Sequence, residues 1–337
     1  MPKLLNFFWN PAENRLRLAW RLAGLGLLLL ITLPFFQAAA ALAGSVLFPP
    51  PSFSWDSPLT LVVLGLASGL AVALSVAFAA RVLDRRRFQD LGFQLSPSWG
   101  KDFGLGLGLG ALLMTLIFGA ELALGWIEIR GVTFSPNGFP AFPGGLALST
   151  LFYLAVGFYE ELFSRGYLIK NLSEGLAGGL LGPRAAVLLA WILTSLLFGA
   201  LHGPNPNATL LGVANISLAG LLMGAGYLLT GQLALPIGLH ISWNLFQGPV
   251  FGFPVSGASL LGHSVFQVKQ LGPVLWTGGA FGPEGGLLGT LTILLGLALV
   301  LLWKGQGGLH LELSRYQPCQ SEQDQPSSPP PDRESEP

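Results

Sequence analysis

Apolar residues along this chain come in long unbroken runs, not in the alternation of a strand or the one-sided stripe of a soluble helix. A bilayer core of about 30 Å calls for about 20 apolar residues per helix. Eight runs answer to that: 22–48, 59–80, 103–126, 145–169, 185–203, 208–230, 233–251 and 286–303. In lipid each backbone polar group needs a partner within its own segment, so each run is expected to be a helix. The expected fold class is all-α, a polytopic membrane protein with about eight transmembrane helices. Residues 1–21 form an N-terminal segment, 22–126 a three-helix region and 145–251 a helical core. A loop at 252–285, a last helix at 286–303 and a polar tail at 305–337 follow.

The first run has features of a signal peptide. Arg15, Arg17 and Arg21 precede GLGLLLLITLPFF, and QAAAALAG resembles a cleavage site. The apolar stretch continues through SVLF, longer than an ordinary signal h-region, so the helix is expected to be retained. The loop at 252–285 mixes apolar and polar residues and would fold over the membrane surface or stay flexible. The tail ends SEQDQPSSPPPDRESEP, too polar and Pro-rich to bury a core, and is expected to be disordered. The alternating glycines of FGLGLGLGALL neither follow a strand nor open a βαβ unit, so they read as small residues for helix contact, not as a phosphate loop.

Composition agrees with the pattern. Hydrophobic residues make up 51% of the chain and charged ones 10%, against about 25% charged in soluble domains. Mean hydropathy is +0.60. A net charge of zero argues against nucleic acid as a partner, and the single cysteine, Cys319, excludes an intrachain disulfide. Lysine and arginine set the orientation. With the N-terminus inside, only Arg130 and Lys269 fall outside, and Arg165 lies within the membrane or at its inner boundary. Both termini are then cytoplasmic. The Gly-, Pro- and Leu-rich composition is of a bacterial kind, so the expected location is the bacterial cytoplasmic (inner) membrane.

The ionisable groups within the runs are few: Glu121, Glu160, Glu161, Arg165, His202 and His240. Glu121, near the outer end of the third run, reads as a snorkelling or loosely solvated carboxylate. Glu161 and Arg165 are spaced i,i+4 and can pair on one helix face. Glu160 is rotated about 100° from Glu161 and stays unpaired. Burial without a partner is the setting in which a carboxylate serves as general base near neutral pH. A helix-packing polar cluster without chemistry is the competing reading. In FGALH, Phe198 stands one turn from His202 and can wall its imidazole; an interfacial histidine is the simpler alternative. In HISWN, His240 and Asn244 share a face, able to hold an oxyanion with two donors or merely to bridge two helices. Together they amount to a base, a histidine and a donor pair, the parts of a hydrolase.

EELFSR, FGALH and HISWN also match the EExxxR, FxxxH and HxxxN motifs. In that order, on the fourth, fifth and seventh helices, they resemble the CAAX prenyl protease and bacteriocin-processing family of intramembrane endopeptidases. Eukaryotic Ras-converting enzyme, a type II CAAX protease, belongs to that family. The basic loop LDRRRFQDLGF is similar too. The resemblance implies a conical intramembrane cavity and makes 145–251 the catalytic core. It makes Glu160 the activator of the attacking water, assisted by His202, with His240 and Asn244 as the oxyanion hole. Glu161 and Arg165 would brace the site and hold the C-terminal region of the substrate, a membrane-embedded or lipidated protein or peptide. The family has been called metalloproteases, and Glu160, His202 and His240 offer a zinc set with one open position. There is no HExxH helix, and Asn244 beside His240 suits an oxyanion role, so a metal-independent mechanism is expected and no cofactor is required. The other readings are a catalytically silent bacteriocin-immunity or scaffold protein of the same fold, and a transporter with a proton relay, although paired broken helices are missing.

Helix lengths pose a problem of depth. Glu160 would lie roughly 15 Å from the inner end of the fourth run, and His202 roughly 27 Å from the start of the fifth. His240 and Asn244 would lie about 10–16 Å from the inner end of theirs, which puts the site in the cytoplasmic half of the membrane.

Overall fold

Among the residues described by the computed structural model (5–11, 13–48, 53–54, 57–134, 142–177, 181–259, 262–303 and 309–312), every expected run contains a helix. Six are long and apolar enough to cross a membrane. They are α1 (Leu18–Leu47), α2 (Pro58–Val82), α3 (Pro97–Ala123), α4 (Phe142–Ala177), α5 (Pro183–Leu201) and α6 (Leu210–Thr230). Two are shorter: α7 (Ala234–Leu245), prolonged by a π-turn at Phe246–Val250, and α8 (Leu287–Leu302). The protein is a mostly helical polytopic membrane protein. The apolar side chains left exposed on α1, such as Leu27, Leu30, Ile31 and Phe35, form a face suited to acyl chains.

Local sequence sets several helix starts. Ser57 accepts a hydrogen bond from the Thr60 N–H and Ser96 from that of Trp99, each just before a proline at the first helical position. Thr209 caps α6 by accepting from the Gly212 N–H. Inside the bundle, glycines let backbones touch. A Cβ at Gly106 of α3 would collide with the Leu235 carbonyl, and one at Gly238 of α7 with that of Phe103. Gly104 and Gly108 meet open space. The alternating glycines are therefore split: one face seats α7, as read from the sequence.

Two short sheets lie at opposite ends of the bundle. Beside the N-terminus, β1 (Trp9–Asn10) pairs with β2 (Arg15–Leu16). At the other end, β3 (Ile127–Phe134) pairs antiparallel with β4 (Ser264–Gln270), with a bulge between Ile129 and Gly131. β4 belongs to the 252–285 loop, so the described part of that loop is folded. The loop also turns inward. Gly257 and Gly282 take left-handed conformations (φ 86° and 93°), where a Cβ would strike the carbonyls of Pro206 and Pro254. Glu284 then reaches α6, where the Asn215 amide donates to its carbonyl at 2.8 Å.

Three expectations need correction. Glu121 is fully buried and accepts a 2.6 Å hydrogen bond from Gln270 of β4; it is not solvated. Arg15 and Arg21, read only as flanking charges, are buried. They pair with Glu174 at 3.0 and 3.1 Å, and Arg86 from the loop after α2 joins the same carboxylate. Asp84 accepts from Asn171 at 2.8 Å in this cluster. Within the expected tail, residues 309–312 dock instead: the His310 N–H donates to the Leu228 carbonyl at 2.7 Å, and Leu309 and Leu311 pack on the core. The remaining tail positions, 305–308 and 313–337, lie outside the described residues.

Candidate active site

The EELFSR motif falls where α4 changes pitch. Leu162–Ile169 is a π-helical segment, a form that concentrates at functional sites. Glu160 precedes it on one face and Glu161 on the next. Glu161 is completely buried, and its Oε1 accepts from Arg165 Nη1 and from His240 Nδ1, each at 2.8 Å. Arg165 also donates to the Gly220 carbonyl at 3.2 Å and lies 4.4 Å from the centre of the Phe198 ring. The expected pair exists, and it does more than brace: a carboxylate only accepts, so His240 carries its proton on Nδ1 and aims Nε2 the other way.

Glu160 receives that nitrogen. Its Oε2 stands 3.9 Å from His240 Nε2 and 4.0 Å from His202 Nε2. His202, the C-cap of α5, is oriented by the same logic. Its Nδ1 donates to the Phe198 carbonyl at 2.8 Å, which leaves Nε2 toward Glu160. The Phe198 ring walls the imidazole as expected, with centroids 4.9 Å apart. Asn244, one turn along α7 from His240, makes no hydrogen bond with the described residues and lines the same cavity. That cavity, about 280 Å³, lies between α4, α5, α6 and α7. Glu160, His202, His240 and Asn244 are thus brought to one wall. Arg165 stays behind it, its guanidinium engaged by Glu161, Gly220 and Phe198, and does not reach the space a substrate would occupy.

Between α4 and α5 the depth mismatch disappears because α4 is longer than its apolar run. It continues past 169 to Ala177, so Glu160 lies about 26 Å from that end at 1.5 Å per residue. His202 lies about 28 Å from the start of α5 by the same rise. The amphiphilic turn 170–177 hid this extension, because its polar residues meet the buried arginines and not water.

Zinc would make definite demands on Glu160, His202 and His240. The orienting bonds on both Nδ1 atoms are of the kind that also hold metal-ligating histidines. Tetrahedral ligands at 2.0–2.1 Å from zinc stand about 3.4 Å apart, whereas the Glu160 oxygen lies 3.9 and 4.0 Å from the two nitrogens. Among the described residues no set of three His, Cys, Asp or Glu side chains is arranged to hold a metal ion. As placed, the Glu160 oxygen stands farther from both nitrogens than a tetrahedral zinc set requires.

The bundle is that of a polytopic membrane protein, and a carboxylate–imidazole cluster lines its cavity. Residues 140–246 match the family of Rce1-like proteins, type II CAAX prenyl endopeptidases. The resemblance carried by the three motifs is shown over that segment, which contains all of them. No curated protein and no solved structure matches the chain.

Sequence reading missed other residues on the cavity wall: Tyr153, Tyr159, Asn205, Asn215, Ser256 and Glu284. Tyr159 had a signal, since it directly precedes Glu160. Glu284 had none, lying in a loop that reads as external.

Proposed function

We propose that this protein is an intramembrane endopeptidase, hydrolysing a peptide bond in a membrane-embedded or lipidated polypeptide by glutamate-activated water. The observation that carries the reading is the placement of Glu160. It is a carboxylate without a cationic partner on the wall of a cavity inside the bundle, within 4.0 Å of two imidazole nitrogens whose opposite nitrogens are locked. Water between Glu160 and His202 gives its proton to Glu160 as its oxygen attacks the scissile carbonyl carbon. Asn244 donates to the oxyanion from its amide. His240 donates from Nε2 when both its nitrogens carry protons, a charge the Glu161 carboxylate balances. The proton on Glu160 then passes to the leaving amine as the carbon–nitrogen bond breaks. The Lys and Arg distribution supports cytoplasmic termini and, with the composition, a bacterial inner membrane.

The test is quantitative proteomics of membrane fractions from cells carrying the wild type or Glu160→Gln. Membrane proteins should accumulate uncleaved in the variant. Identical proteomes, with both proteins inserted and folded, would support the silent scaffold instead. Elemental analysis should find no stoichiometric zinc, and excess phenanthroline should leave turnover nearly unchanged. Zinc at about one per chain, lost together with activity, would overturn the metal-independent mechanism.

A further inference from the structure

The cavity has a second carboxylate that the proposed chemistry does not use. Glu284 sits at the end of the inward-turning loop, just before α8, and is 7% exposed. Its Oε2 accepts from the Ser256 backbone N–H at 2.6 Å and from the Ser256 hydroxyl at 3.0 Å. Its carbonyl is anchored by Asn215. Oε1 makes no hydrogen bond with the described residues. The side chain is therefore held rigidly by one oxygen and offers the other. A purely structural Glu284 would satisfy Ser256 alone; it would not need to line the cavity with Glu160.

Among the described lining residues the carboxylates are Glu160 and Glu284; the two histidines stand beside Glu160, and neither lysine nor arginine is present. We propose that Glu284 is a specificity-determining residue, forming a subsite for a cationic side chain, lysine or arginine, of the substrate polypeptide. Glu160 and Glu284 line the same cavity, so the cation is bound in the space that holds the scissile bond. The assignment of a scissile bond rests on the endopeptidase reading; the binding preference does not.

The experiment uses the full chain in detergent micelles and fluorescein-labelled peptides of Leu and Ala carrying one Lys, Gln or Glu at successive positions. Binding is measured to Glu160→Gln by fluorescence polarisation. At one position Lys should bind about tenfold more tightly than Glu, the scale of one desolvated charge pair. The preference should vanish when Glu284→Gln is added, whose amide carbonyl can still accept from Ser256. No preference, no binding by any peptide, or a preference that survives Glu284→Gln overturns the subsite. Should that variant melt well below its parent, Glu284→Asp replaces it. A weakened Lys preference then supports the subsite, and an unchanged one overturns it. Cleavage of the same peptides by wild type separates the two readings. Cleavage indifferent to charge removes the subsite alone. A Glu284-dependent binding preference without any cleavage removes the endopeptidase reading and leaves the subsite standing.

Discussion

Helix α4 carries two charged centres, one buried and one opening on a cavity, and they are built differently. Around Glu174, three arginines from distant parts of the chain converge: Arg15 before α1, Arg21 in the first turn of α1, and Arg86 after α2. Its carboxylate is spent on cations, and none of these residues lines the cavity of Glu160. Around Glu160 the cations are missing. Two imidazoles stand at 3.9 and 4.0 Å, the one arginine nearby is committed to Glu161, and a cavity opens in front. Charge saturated by countercharge makes a latch between segments. Charge left unsatisfied, in a space that admits other atoms, is available for chemistry. Glu174 is buried among arginines, whereas Glu160 is partly exposed to a cavity and forms no ion pair with an arginine among the described residues.

The sharpest test of this contrast is Glu160→Gln. It should lower turnover by about 10⁴-fold, through loss of the base and of transition-state hydrogen bonding, with thermal melting in detergent unchanged. Glu174→Ala should do the reverse. Stranding three buried guanidinium groups should cost about 3–5 kcal/mol, and any molecules that remain folded should keep their turnover. If Glu174→Ala melts like wild type, the latch is not a stability element. Arg165→Ala should combine both effects, since it strands the Glu161 carboxylate that holds His240. Glu161→Gln with Arg165→Met should restore much of the melting temperature without restoring full activity. Next in size is Asn244→Ala, expected to cut kcat by about 10²–10³-fold with little change in KM. A raised KM with kcat unchanged would mean that Asn244 serves ground-state binding.

The smallest effect concerns Asp84 in the latch. Burial, its largest influence, raises the Asp84 carboxyl above the ordinary carboxylate value, against the Asn171 hydrogen bond and the Arg21 and Arg86 charges. A raised folded-state value means that Asp84 contributes stability below the ordinary value and loses it as pH rises through the folded one. Relative to wild type, Asp84→Asn should therefore gain melting temperature as pH rises from acid to neutral. A difference independent of pH would show that the neighbouring arginines fully offset the burial of Asp84.

Much of the active centre could be read along the chain because its pieces are local. Glu161 and Arg165 meet through an i,i+4 relation, as do Phe198 with His202 and His240 with Asn244. Helical periodicity and the scarcity of charge in apolar runs were enough to single these residues out. Each run also marked a helix, six of them long and apolar enough to cross a membrane among the described residues, since lipid leaves an apolar segment few other ways to satisfy its backbone. What linear reading could not supply was partnership across long separations. Arg21 and Glu174 are 153 residues apart, and Gln270 lies 149 from Glu121. Each of these residues, taken alone, looks like an interfacial charge or a loop amide. The same holds for the extension of α4 beyond its apolar run, the His240 proton held by Glu161, and the loop that brings Glu284 to the cavity. Hydrophobicity is a property of each residue and survives in the bare sequence. The burial of a charge depends on which countercharge or cavity the fold places beside it, and only the packed bundle decides that.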